Sequence, residues 1–217
     1  MKNLKHVLRN FAAVIVTGLA SLTLGGCTVL QPVKPATINT YALEAQFEPV
    51  ATGAGEKTIV VNTPSALSGF NSPRMVYTKR LYEIGYFSEN QWVDSPARML
   101  APLLVKALEH SAKYQAVLDA RSSANADLRL DTEIIRLQHE FMTRPSQVHL
   151  TVRAQLLDIG RRRVLASREF DVVEAVPGDD PYEGVIAANR AVKILLQQIA
   201  DFCALGSQTG ESHNARD

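Results

Sequence analysis

From Gln147 to Ile159 apolar side chains fall on every second residue: Val148, Leu150, Val152, Ala154 and Leu156. A period of two places them on one face of a β-strand. One strand cannot bury such a face alone. It needs neighbours on its edges and a second layer against its apolar side. The flanking sequence offers both. Asp127–Met142 and Arg163–Val173 read as long strands on either side, with Gly160-Arg161-Arg162 as the second turn. In the first of these, Leu128, Leu130 and Ile134 share one phase, and Ile135, Leu137 and Phe141 share the other. Adjacent isoleucines at a change of phase predict a β-bulge.

The second layer is helical. Asp180 is a helix cap, Pro181 suits the first helical position, and Glu183 stands three residues after the cap. Val185, Ala188, Val192, Leu195, Ile199 and Phe202 then recur at helical spacing as one apolar stripe. An earlier helix opens at Ser95-Pro96, with Ser95 as cap and Met99, Leu100, Leu103, Ala107 and Leu108 on one face. Pro102 lies inside this pattern and is expected to kink the helix or confine it to its C-terminal half. Shorter strands are expected at Lys57–Asn62, Arg74–Thr78, Leu81–Phe87 and Tyr114–Leu118, with loops over 64–73 and 121–126. The fold class is therefore α+β: a single domain with a mixed or antiparallel sheet and two main helices packed on one face.

The N-terminus obeys different rules. Lys2, Lys5 and Arg9 are the only charged residues among the first 26, and Phe11–Leu24 runs without a charge to Gly25-Gly26-Cys27. A basic start, a short apolar core and small residues at its end describe a secretory signal. The alternative, an uncleaved anchor, is disfavoured because a spanning helix needs about 20 apolar residues. The segment Leu24-Gly25-Gly26-Cys27 resembles the bacterial lipobox. That resemblance implies that Cys27 becomes the lipid-modified first residue of the mature chain. The expected organisation is a signal peptide over 1–26, a lipidated cysteine and tether over 27–36 with Pro32 and Pro35, one domain over 37–205, and a disordered polar tail over 206–217. Thr28 after the cysteine leans towards the outer membrane, because an Asp there favours inner-membrane retention in the lipoprotein sorting pattern.

Charge and motif exclude several functions. The net charge of +1 includes +3 from the signal, which leaves −2 for the rest, so a nucleic-acid partner is not expected. No G-x-S-x-G segment is present, and Gly53-Ala54-Gly55 precedes a strand instead of a helix. Asp179-Asp180 is accounted for by turn and cap. Of the two cysteines, an acylated Cys27 leaves Cys203 unpaired, as a small apolar residue in a helix. Matching the apolar faces of the first hairpin pairs Phe141 with Val148, Leu137 with Val152 and Ile135 with Ala154. In that register His139 and His149 point to opposite faces and cannot share a metal. It also sets Arg136 opposite Arg153. With Arg161, Arg162 and Arg163 at the next turn, the outer face can be read as a basic contact surface or as a solvated edge. No cofactor, metal or catalytic set is expected.

Five of the fourteen Phe, Tyr and Trp residues lie between Tyr77 and Trp92. Tyr82, Ile84 and Tyr86 are expected on one strand face, with Trp92 in the loop before the helix. The plain account is that the rings fill the space between sheet and helix; the sharper one makes Tyr82, Tyr86 and Trp92 a partner or lipid contact. Here the chain becomes recognisable. Arg74-Met75-Val76-Tyr77, Tyr82-Glu83-Ile84-Gly85-Tyr86, Trp92, and Pro96 followed by Leu100, Leu104 and Leu108 resemble the bacterial ABC-type transport auxiliary lipoproteins, which include the paraquat-inducible protein C-like lipoproteins. Tyr41-Ala42-Leu43 and Ile59-Val60-Val61-Asn62-Thr63-Pro64 fit that family's opening pattern, although the doubled tyrosine often found there is absent.

The resemblance implies a non-catalytic, lipid-anchored protein facing the periplasm. Its implied partners are an MCE-domain protein and the permease and ATPase of an ABC lipid transporter, and homo-oligomerisation stays open. The competing readings are a tethered envelope hydrolase, for which no nucleophile and base set is present, and a structural lipoprotein that binds peptidoglycan or outer-membrane assembly machinery.

Overall fold

A computed structural model describes residues 37–47 and 55–212. Cys27, the signal segment and most of the tether lie outside the described residues. The compact unit Ile38–Asp217 carries the elements that follow.

The described residues form nine strands, β1 (Asn39–Tyr41), β2 (Thr58–Val61), β3 (Ser65–Ala66), β4 (Arg74–Thr78), β5 (Gly85–Trp92), β6 (Ala116–Asp119), β7 (Leu128–Glu140), β8 (Ser146–Asp158) and β9 (Arg163–Val176). Two α-helices accompany them, α1 (Pro96–His110) and α2 (Pro181–Ser212), with a short 3-10 turn at Ser68–Phe70. β7 organises the sheet. Along one edge it pairs antiparallel with β8, which pairs antiparallel with β9. Along the other edge three short strands follow one another in parallel: β2 beside Leu128–Leu130, β3 beside Glu133–Ile134 and β4 beside Gln138–Glu140. β6 extends the sheet beyond β2, while β5 and then β1 extend it beyond β4. The sheet is mixed, and both helices bury their stripes against one face of it.

The anticipated bulge is present. The register shifts between Ile134 and Arg136, so Leu128, Leu130 and Ile134 face the core before it, and Leu137 and His139 after it. The register itself differs from the one expected. Val148 lies opposite His139, Leu150 opposite Leu137 and Val152 opposite Ile134. The inferred parity after the bulge was right, but the strands there are slipped by two residues from the expected match, because alternation fixes faces and leaves slippage in steps of two free; before the bulge the extra residue shifts the pairing by one more. His139 and His149 do point to opposite faces, since His149 lies opposite Gln138.

α2 is capped as anticipated, with Tyr182 N and Glu183 N donating to Asp180 Oδ1 at 2.7 and 3.1 Å. Its fully buried Val192, Leu195, Leu196 and Ile199 meet Leu150, Val152 and Leu156 in the same core. Large side chains buried to this degree each contribute about 1.5–3 kcal/mol. The helix continues to Ser212, through much of the segment expected to be a patternless tail.

α1 departs from expectation twice. Ser95 occupies the cap position without a side-chain cap bond, and the helix continues through Pro102. Pro102 is exposed, so the Arg98 carbonyl that loses its intrahelical donor is on the wet side of the helix. β1 and β3 lie where no strand was expected, and the expected Leu81–Phe87 strand starts later, at Gly85.

Candidate functional site

The aromatic segment divides into a packed part and an exposed part. Phe87 and Tyr77 approach to 4.8 Å between ring centroids, and His139 stacks on Phe141 at 4.0 Å. Tyr77 lies opposite Gly85, where a Cβ would come within 2.5 Å of its ring. Trp92 is the last residue of β5 rather than a loop residue, and it is buried. Tyr86 is half-buried, with the Arg74 guanidinium 3.4 Å above its ring. For Trp92 and much of Tyr86 the rings therefore serve packing.

Tyr82 is different. It belongs to the turn between β4 and β5, not to a strand, and does not share a strand face with Ile84 and Tyr86. Its φ is +67°, in the left-handed region, and its side chain is fully exposed at 102%. Leu81 and Ile84 beside it are 70% and 52% exposed. The turn beneath is well defined. The buried Thr78 hydroxyl lies 2.8 Å from the Arg80 carbonyl and 2.6 Å from that of Glu83, Glu83 N donates to Arg80 O, and the Arg80 and Glu83 side chains pair at 2.6 Å. A rigid base presents three apolar side chains to solvent.

Arg161 and Arg162 lie in the turn between β8 and β9 and Arg163 opens β9; all three are exposed. Asp158 accepts from Arg161 N at 2.8 Å and pairs with its guanidinium. Arg162 has a φ of +52°. This turn adjoins the start of β7, through Ile159 N and Asp127 O, whereas the Tyr82 turn adjoins its end, through Phe141 N and Thr78 O. The 13 residues of β7 separate them by roughly 40 Å at about 3.3 Å per residue. The arginines and the tyrosine do not form one site.

Nor is the face between them a bare basic surface. Arg136 lies opposite Thr151, not Arg153, and its guanidinium pairs with Asp171 and Glu140. Arg153 lies opposite Glu133 and pairs with it and with Glu169. The Thr151 hydroxyl, followed by Arg136, holds the Asp171 carboxyl below the usual range. The expected repulsion is replaced by alternating charge.

The described residues contain no group of three or more His, Cys, Asp and Glu able to hold a metal. His139 is buried in the core, with Nε2 2.8 Å from the Ser146 hydroxyl and Nδ1 without a hydrogen-bond partner. Burial lowers its pKa, and Asp179 and Asp180 oppose that shift. Cys203 is fully buried in α2, and burial pushes its thiol pKa up to about 12. A groove of about 490 Å³ lies between α1 and the β2–β6 side of the sheet, lined by the apolar Val61, Pro102 and Val105 and by charges of both signs, among them Lys106, Glu109 and the Arg121–Asp119 pair. No motif in the sequence announced it. No described helix is long and apolar enough to cross a membrane.

The described fold is a mixed sheet backed by two helices, with an exposed apolar turn between β4 and β5. Residues 41–200 match the model of the ABC-type transport auxiliary lipoprotein component family, and the chain belongs to that family. No curated protein matches the sequence. The fold is similar to the crystal structure of protein XCC0632 from Xanthomonas campestris, of family model DUF330, with a TM-score of 0.72 at 22% identity, covering 80% of this chain and 99% of that one. A second crystal structure, of an uncharacterised protein, gives a TM-score of 0.62 at 15% identity and covers 76% and 97% of the two chains.

Proposed function

We propose that this protein is a non-catalytic auxiliary subunit of an ABC-type lipid transport system, anchored by acylated Cys27 and docked on an MCE-domain protein and its permease and ATPase. The observation that carries the reading is the family match over residues 41–200, which spans nearly all of the folded unit. The sequence before it agrees: a basic, then apolar segment ends at Gly25-Gly26-Cys27, and a proline-bearing stretch leads into β1. In this reading the domain works outside the cytoplasm, and Thr28 favours the outer membrane.

The chemistry required of such a subunit is adhesion. Two or more acyl chains hold a protein stably to a bilayer, because each buried CH₂ is worth about 0.8 kcal/mol. The groove beside α1 and the exposed β4–β5 turn offer surfaces for protein and lipid contact. Cross-linking of a tagged chain in cells, followed by mass spectrometry, tests the reading. Recovery of MCE and ABC components with a lipid-modified Cys27 peptide is expected; recovery of peptidoglycan-binding or outer-membrane assembly proteins alone would replace it with a structural role.

A further inference from the structure

We infer that the β4–β5 turn, Leu81, Tyr82 and Ile84, is a second membrane contact, which rests on the bilayer surface that holds Cys27. The inference builds on the anchoring reading above and adds what the folded unit contributes to it.

The first observation is the presentation of the residues. Three of the four residues Leu81–Ile84 are exposed and apolar, with Glu83 between them, in the turn that joins β4 to β5. A non-glycine residue in the left-handed region is disfavoured, and here it holds a tyrosine fully clear of the protein surface. The base of the turn is fixed by the Thr78 hydroxyl and the Arg80–Glu83 pair, so the rings and branches are displayed by a rigid support. Tyrosine beside leucine and isoleucine, with Lys79 and Arg80 directly before them, suits the polar-to-apolar boundary of a bilayer.

The second observation is the direction from which the chain arrives. β1 runs parallel to β5, with Asn39 beside Asn90 and Tyr41 beside Trp92. Ile38 therefore enters β1 from the Gly85 end of β5, the end that carries the turn. Asn39 stands five residues along β5 from Gly85, a separation of roughly 17 Å. Eleven residues, 28 to 38, join it to Cys27, and an extended chain covers about 3.3–3.6 Å per residue. Eleven residues are thus long enough, when extended, to span that separation. The β7–β8 turn, with exposed Met142 and Arg144, ends the sheet on the same side. The acidic corner at Asp179 and Asp180 is also at this end, on the helix-covered face, where the first turn of α2 folds back over β7: Gly184 stands against His139, and Tyr182 lies 6.0 Å from Tyr41 of β1. The Arg161–Arg163 turn faces the other way, so the molecule has a membrane end and a distal end.

The test uses the full chain purified from membranes and reconstituted into vesicles of phosphatidylethanolamine and phosphatidylglycerol with brominated acyl chains. Tyr82→Trp and, at the distal end, Ile159→Trp are each compared with the parent, whose buried Trp92 supplies the background. Bromine is expected to quench the indole at position 82 roughly twofold, as for a ring seated at the acyl boundary, and to leave the one at position 159 unchanged. If the protein floats with the vesicles and Cys27 is lipid-modified, yet position 82 is not quenched, the second contact is refuted and the anchor stands. If the protein neither floats nor carries the modification, the anchor reading falls and this contact with it. A blue shift without quenching, together with a larger particle in solution, would seat the turn against another copy of the chain and overturn the inference.

Discussion

The Cβ that Gly184 lacks would stand 2.7 Å from Nδ1 of His139. The first turn of α2 can lie this close to β7 because a glycine faces the imidazole. His139 cannot easily yield, since it stacks on Phe141 and Nε2 is held by Ser146. Gly184→Ala gains up to about 1 kcal/mol of helix propensity and incurs an overpacking cost of roughly 1–3 kcal/mol. A net loss of stability is expected, seen as a lower thermal midpoint. Gly178→Ala, where the nearest heavy atom would be 3.4 Å away, is expected to change it far less.

The same histidine predicts a pH dependence. Its pKa is depressed in the folded protein, chiefly by burial, so the unfolded chain binds the proton more readily. The contribution is complete above the unfolded value of about 6.5 and is lost as pH falls from there towards the folded value. Denaturation midpoints should therefore decline as pH is lowered below that value. His139→Gln, which can keep a hydrogen bond to Ser146, is expected to be less stable at neutral pH and to show a shallower decline. An unchanged slope would mean that another group carries the effect.

The register of β7 and β8 predicts the sign of a charge reversal. Arg153 meets Glu133 and Glu169, so Arg153→Glu should destabilise, within the roughly 0–1 kcal/mol usual for exposed pairs plus a similar repulsive term. Adding Glu133→Arg should restore part of it in a double-mutant cycle. If Arg136 were the cross-strand neighbour, the single reversal would stabilise instead.

Cys203 is fully buried, and its thiol pKa is raised to about 12 by desolvation. Alkylation of the native protein at about pH 8, near the ordinary thiol value, should leave it unmodified, with full modification once denaturant is added. Rapid native labelling would require an opening of α2 that its packing does not provide.

Periodicity carried most of the architecture. β4 matches its expected bounds at both ends, β7–β9 run where alternation placed them, and α2 begins at Pro181 after the Asp180 cap. These elements signal themselves because one face of each is buried. β1 and β3, of three and two residues, have no period to read and exist only through pairing with β5 and β7. The turn at Tyr82 was missed for the opposite reason. Tyr82, Ile84 and Tyr86 alternate as a strand would, and the left-handed residue that breaks the strand leaves no mark in composition. Alternation also could not fix register, so Arg136 and Arg153 were set against each other when each in fact meets acidic side chains. The family resemblance covered the stretch that the family model matches, while Tyr82, Tyr86 and Trp92, grouped as one contact, separate into an exposed turn, a half-buried ring and a buried one.

The central claim is that this chain serves an ABC-type transporter from the membrane. The most direct measurement is quantitative mass spectrometry of proteins cross-linked in cells to the tagged wild-type chain and to Cys27→Ser. The account predicts that the wild type recovers an MCE-domain protein with its permease and ATPase and carries an acylated Cys27, and that the variant loses most of this recovery. Equal recovery by both chains, or an absence of every transporter component from the wild type, would contradict it.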